Sequence, residues 1–192
     1  DCFGFGYALP SIAKHCGLAG FSTQKLTWGS SVGIPFGIGL WQGVDGSTLI
    51  AALDPGAYVS DLTQDQSRDS VVERAIDRQW QQSGLAAAYR YYGTGDVGGA
   101  PSEGSVKWME KSLHSDGPIT VVSASADQLY RELSPEQQQA LPRYNGELLM
   151  TAHGTGCYTS QAAMKRWNRK NELLANAAER AAVVADWFGA AR

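Results

Sequence analysis

"FGIGLWQGVDGSTLIAAL" (36–53) is the stretch on which the fold turns. Apolar runs flank Asp45-Gly46, a favoured two-residue turn, so the segment predicts a β-hairpin. Helical and strand patterns alternate on both sides of it. Upstream, "ALPSIAKHCGLAG" (8–20) predicts a short helix, with Pro10 in the first turn and Gly17 just past the end. "GFSTQKLTW" (20–28) predicts a strand carrying Phe21, Thr23 and Leu26. Downstream, "SRDSVVERAIDRQWQQSG" (67–84) is amphipathic, with Val72, Ile76 and Trp80 on one helical face and Gly84 closing it. "SEGSVKWMEKSL" (102–113) predicts a helix, "PITVVSAS" (118–125) a short buried strand and "ADQLYREL" (126–133) another helix. Elements alternating at this pitch predict an α/β layer or barrel.

The pattern changes near Leu141. From Thr159 the chain has neither Gly nor Pro until Gly189. Met164, Trp167, Asn171, Leu174, Ala178, Ala181, Ala185 and Phe188 recur at alternating spacings of three and four. That is a heptad seam on a helix of about 45 Å, at ~1.5 Å per residue. Its apolar stripe calls for partner helices, which the remaining residues do not supply. At the other end the chain opens on Asp1, with no Met ahead of it. Both ends lead to the expectation that this is a piece of a longer protein.

The 192 residues suit one domain, or one and part of another. A hydrophobic content of 43% with 18% charged residues is that of a globular chain. The net charge of −3 and the lack of a basic stripe give no electrostatic reason to expect nucleic acid. No apolar run approaches the ~20 residues of a membrane helix. Cys2, Cys16 and Cys157 are an odd set without C-x-x-C spacing, which indicates neither a disulfide framework nor a cysteine zinc site.

Most of the 22 glycines gather at 4–6, 29–46, 93–99 and 154–156, between the patterned segments, and mark shaped loops. Carboxylates in such loops are candidates for chemistry: Asp1, Asp45 and Asp96. Asp45 reads as turn chemistry. Asp96 in "YYGTGDVGGAP" (91–101) reads either as a turn residue or as a ligand-facing carboxylate, since the flanking glycines allow close backbone approach. His15 and His114 sit in the last turns of predicted helices, where a cation suits the dipole. His153, in "LLMTAHGTGCYTSQ" (148–161), suits a core histidine or a metal ligand at a domain junction.

Several blocks carry a resemblance when taken together. "DCFGFGYALPSIAKHCGLAGFSTQKLTW" (1–28) resembles the D-x-F-G-x-x-x-x-L-P … T-Q-K-L-x-W stretch of bacterial α-mannosidases of glycoside hydrolase family 38. "LWQGVDGSTLI" (40–50) is similar to that family's W-x-G-x-D-G-S hairpin, and "YGTGDVGGAP" (92–101) to its Y-G-x-G-D-x-G-G-x-P loop. "NGELLMTAHGTGCYTSQAAMKRWNR" (145–169) resembles its G-E-L … H … Y-T-S-Q … K-R-x-N-R junction. The blocks keep the family order and span nearly the whole chain.

The resemblance implies a partial α/β barrel of glycosidase type, followed by the first long helix of a three-helix bundle. Residues 1–140 would be the C-terminal part of the barrel and 141–192 the start of the helical middle domain. It implies a zinc-dependent, retaining α-mannosidase that acts on α-mannosides of glycans through a covalent glycosyl-enzyme. Carried over by position, Asp1 matches the nucleophile and a Zn²⁺ ligand, and His153 another ligand. Asp96 matches the general acid/base, Phe3 an aromatic at the sugar and Lys25 a basic group facing the nucleophile. The chemistry needs these types. A retaining glycosidase uses two carboxylates about 5–5.5 Å apart, one attacking the anomeric carbon and one protonating the leaving oxygen. Nearby zinc and Lys25 would favour the ionised nucleophile.

One departure qualifies the match. The family's H-x-D zinc motif lies ahead of the nucleophile, and the triplets at the histidines here are His15-Cys16-Gly17, His114-Ser115-Asp116 and His153-Gly154-Thr155. Only the second has the letters, and it follows Asp96. Further ligands are therefore expected upstream of Asp1, and the chain alone is expected to be inactive. Two other functions compete: a non-catalytic carbohydrate-binding remnant of the same fold, and a metal-dependent carbohydrate deacetylase using metal-activated water. A helical interaction module, resting on the heptad seam, is a third.

Overall fold

The computed structural model describes residues 2–58, 61–96, 98–157 and 160–189. The chain divides into two compact units, 1–153 and 154–192. The first is a mixed α/β unit built on the predicted hairpin. Strands β2 (Ile38–Gln42) and β3 (Thr48–Ala52) pair antiparallel, Ile38 opposite Ala52 and Gln42 opposite Thr48. The turn is one residue longer than predicted: Gly43 and Ser47 still pair, leaving Val44, Asp45 and Gly46 as the loop. Strand β1 (Gly20–Ser22) joins β3 in parallel and β4 (Arg143–Asn145) joins β2 in parallel. The sheet is four-stranded and open, in the order β1-β3-β2-β4, and among the described residues it does not close into a barrel.

Nearly every residue of β2 and β3 is buried because both faces are covered. One face packs Trp41, Ala51 and Leu53 with Phe5, Leu26, Phe36, Leu148 and Met150. The other packs Ile38, Leu40, Ile50 and Ala52 with Leu85, Tyr130, Leu133 and Leu141. Helix α1 (Leu9–His15) docks on the hairpin end. Gly43 permits that approach, since a side chain there would run into Ser11. Ser11 and Ser47 donate to Asp45, and His15 bonds its second oxygen at 2.9 Å. These bonds hold the Asp45 carboxyl far below the usual carboxylate range, so its role here is in the turn.

Helix α2 (Ser70–Ser83) starts at an Asp69 cap and ends at left-handed Gly84. Its buried positions are Val72 and Gln79, while Trp80, predicted on the inner face, is 58% exposed. Polar Gln79 lies inside because its amide replaces a strand. Its Oε1 accepts from Ile38 N at 2.8 Å and its Nε2 donates to Ile38 O at 2.9 Å. Helices α3 (Glu103–Leu113), α4 (Gln128–Glu132) and α5 (Pro135–Ala140) follow. Helix α5 went unpredicted although Ser134-Pro135-Glu136-Gln137 is a capping box, formed here in both directions.

Two predicted strands are corrected. "GFSTQKLTW" is strand only to Ser22, and Lys25–Trp28 winds into a 3-10 turn. "PITVVSAS" forms no strand and Val122 is 69% exposed. No described strand lies beside it to complete a ladder, and an apolar run without a ladder has no reason to be sheet.

Asp65 ties the entrance of α2 to the end of α3. It accepts from Ser115 Oγ at 2.6 Å and from Ser67 N at 2.9 Å, and Ser115 first, then Ser67, lowers its pKa from 3.8 to about 2. A carboxyl depressed by folding stabilises the fold fully above its unfolded pKa and loses that contribution as pH falls through the folded value. The unfolding midpoint in urea should therefore fall from about pH 4 to about pH 2, and the Asp65→Asn variant should show a shallower fall. Equal slopes for the two proteins would remove Asp65 from the acid response.

The second unit is the helix α6 (Ala162–Trp187), in which no residue is buried. The predicted seam is exposed: Met164 is 63% and Leu174 64% exposed, and Phe188, just past the helix, 83%. None of the described helices is long and apolar enough to cross a membrane.

Candidate active site

Four segments of the first unit converge on Lys25. The 3-10 turn holds Lys25 and Trp28 three residues apart, a spacing that stacks side chains on such a helix. A strand would have sent them to opposite faces. Lys25 Nζ accordingly lies 3.8 Å from the centre of the Trp28 ring, 4.8 Å from that of Tyr58 and 5.1 Å from that of Phe3. Only 2% of Lys25 is exposed, so these rings and the Tyr58 hydroxyl, which accepts from Nζ at 2.8 Å, stand in for water around the ammonium.

His153 arrives by a different route. The segment 148–151 runs beside 29–31 through the Ser30–Met150 bridge and the Thr151 N to Gly29 O bond, while Leu148 pairs with Phe5. This sets the His153 ring 4.6 Å from Trp28 and 4.8 Å from Phe3, centre to centre. Asp96 comes from the glycine-rich loop, which zips along the segment after β3. Tyr91 N donates to Pro55 O and Gly95 N to Tyr58 O, each at 2.8 Å. Tyr58 OH then donates to Asp96 Oδ1 at 3.3 Å. Asp96 (φ 69°) and His153 (φ 48°) both take the left-handed backbone conformation, which is uncommon outside glycine.

A cleft of about 350 Å³ opens beside Lys25 and Tyr58, lined also by Ser22, Thr23, Gln24 and the loop from Tyr91 to Gly95. Ring faces next to a caged ammonium and a hydroxyl suit a ligand with both hydroxyls and apolar C–H faces, as a sugar has.

The structure thus brings Phe3, Lys25 and His153 into direct proximity and links Asp96 to them through Tyr58. Asp1 lies outside the described residues. Trp28 and Tyr58 were missed by sequence reasoning. Trp28 stands inside the T-Q-K-L-x-W motif and was legible from its spacing to Lys25. Tyr58, in "DPGAY", carried no local signal. Among the described residues no three His, Cys, Asp or Glu side chains gather as metal ligands. His153 is the single described member of the expected zinc set, so the described residues do not by themselves make a zinc site.

Residues 1–147 match the family model "Glycosyl hydrolases family 38 N-terminal domain". The chain is similar to "Alpha-mannosidase G" of Dictyostelium discoideum, at 29% identity over 185 residues covering 93% of the chain. It is 30% identical to "Alpha-mannosidase 2C1" of Homo sapiens over 174 residues, 91% of the chain. It is 31% identical to "Alpha-mannosidase" of Saccharomyces cerevisiae over 184 residues, 90% of the chain. In each case the match spans 16% of the relative's length. With more than half of its residues matched by the family model, the chain belongs to the glycosyl hydrolases of family 38 and carries part of their N-terminal domain.

Proposed function

We propose that this chain forms part of the active site of a zinc-dependent, retaining α-mannosidase acting on α-mannosides of glycans. The observation that carries the reading is the contact network that joins Phe3, Lys25, Tyr58, Asp96 and His153 from separate segments, with Lys25 and Tyr58 lining the cleft. The names of the relatives support the substrate class. Asp96 protonates the leaving oxygen and then draws a proton from the incoming water. Asp1 attacks the anomeric carbon. Lys25 supplies positive charge at the nucleophile, and Phe3 and Trp28 offer flat apolar faces to the sugar ring. His153 would hold zinc together with Asp1 and with ligands expected ahead of Asp1. On this reading the open sheet belongs to an α/β barrel, and α6 is the first helix of the three-helix middle domain.

The test uses the full-length protein that carries this chain, with an aryl α-mannoside as substrate. Proton NMR during the first turnovers is expected to show α-mannose appearing before the β anomer. Initial β-mannose would overturn the retaining mechanism, and no release of mannose at all would overturn the enzyme reading. Activity is also expected to fall on treatment with a zinc chelator and to return with added Zn²⁺. Indifference to chelation would overturn the zinc assignment.

A further inference from the structure

We propose that Tyr58 is the positioning residue of the acid/base, orienting the Asp96 carboxyl so that its proton sits on the oxygen facing the leaving group. This rests on the reading of Asp96 above. Three independent contacts build the arrangement. The Tyr58 carbonyl accepts from Gly95 N at 2.8 Å, which fixes the residue next to Asp96. Its amide donates to Gln24 Oε1 at 3.2 Å, which fixes it to the residue next to Lys25. Its ring fills the space where a side chain at position 95 would stand, so Gly95 is what lets the ring lie flat on the Asp96 loop.

The hydroxyl completes a directed chain. Lys25 Nζ is a donor only, so it takes an oxygen lone pair of Tyr58 and leaves the hydroxyl proton pointing at Asp96. Tyr58 OH delivers that proton in a hydrogen bond to Oδ1 at 3.3 Å, long as such bonds are before substrate is bound. An oxygen that accepts this bond is disfavoured as the carrier of the acidic proton. The proton of the neutral acid is therefore directed to Oδ2. When it passes to the leaving oxygen, the C–O bond to the sugar breaks, and the new carboxylate is already hydrogen-bonded through Tyr58 to a cation. Polarisation along Lys25–Tyr58–Asp96 strengthens each link.

The proposal predicts a selective defect. Tyr58→Phe removes the hydroxyl and keeps the ring over Lys25. In the full-length protein, kcat/KM for a methyl α-mannoside, whose leaving group needs a proton, should drop about 10- to 100-fold, the loss of one hydrogen bond to an ionised group. For 2,4-dinitrophenyl α-mannoside, whose leaving group needs none, kcat/KM should change less than threefold. Gly95→Ala, which forces the Tyr58 ring off the loop with its hydroxyl intact, should reproduce the same selectivity. A uniform loss on both substrates, or none, in either variant would overturn the positioning role. Asp96→Asn run in parallel separates the two ideas: if it lacks leaving-group selectivity, the acid/base reading fails and takes this proposal with it. If it shows selectivity and Tyr58→Phe does not, only the Tyr58 proposal fails.

Discussion

Replacing Asp96 with asparagine in the full-length protein is expected to lower kcat/KM for an unactivated α-mannoside by about 10²–10⁴-fold, the range that general acid catalysis contributes. Asparagine keeps the shape and can still accept from Tyr58 OH, so the loop should hold its place. It has no proton to give to an alkoxide. With a dinitrophenyl leaving group the first bond breaks without that proton, and kcat/KM should be nearly retained. The second step still needs a base for water, so kcat should fall and KM should fall with it as the glycosyl ester accumulates. Equal losses for both substrates would remove Asp96 from acid catalysis. The arrangement gives a reason to choose Asp96 over Asp45, the hairpin carboxylate. The oxygens of Asp45 are taken up by Ser11, Ser47 and His15, whereas Asp96 sits at the end of a hydrogen-bond chain from a buried cation.

The second large effect is on stability. Trp41→Ala should cost about 3–5 kcal/mol, the range for deleting a buried aromatic. The side chain is 0% exposed and belongs to the cluster of Phe5, Leu26, Phe36 and Leu148. Its ring lies 5.2 Å from that of Phe21, and Nε1 donates to Gly146 O at 2.8 Å. Alanine would leave a cavity and an unsatisfied carbonyl together. Phenylalanine would fill most of the space and lose only the hydrogen bond, so Trp41→Phe should cost about 1–3 kcal/mol. Urea unfolding of the three proteins checks the ordering. If alanine and phenylalanine cost the same, the hydrogen bond rather than the packing is what Trp41 contributes. The variant also bears on the site, because Gly146 opens the segment that leads through Leu148 and Met150 to His153.

What was legible followed from how local each signal is. The hairpin at 36–53, the short helix around Pro10 and the capped helices at 70–83 and 103–113 depend on turn chemistry and periodicity within one segment. The run at 118–125 has strand composition, but a strand is defined by a neighbour, and none of the described strands accompanies it. Arg143–Asn145 is the opposite case: its ordinary residues become strand because β2 offers them a ladder. At the site, Phe3, Lys25, Asp96 and His153 came from motif resemblance. Their meeting depends on contacts between residues far apart in sequence, which a single sequence does not display. Tyr58 shows this most plainly. It is an ordinary loop tyrosine until Gly95 and Lys25 are placed beside it.

The amide of Gln79 also has a consequence for assembly. By taking both polar groups of Ile38, it acts as a stopper on the ladder of β2, two residues before the point where Leu40 N binds Pro142 O. A strand sliding along β2 toward its beginning would find those groups occupied. A slip of one residue would turn every side chain of β4 to the wrong face, so the stopper chooses a register as well as closing an edge. The segment that carries Leu148, Met150 and His153 starts from that register. A glutamine 41 residues from Ile38 in sequence thus bounds the ladder from which the segment leading to His153 starts.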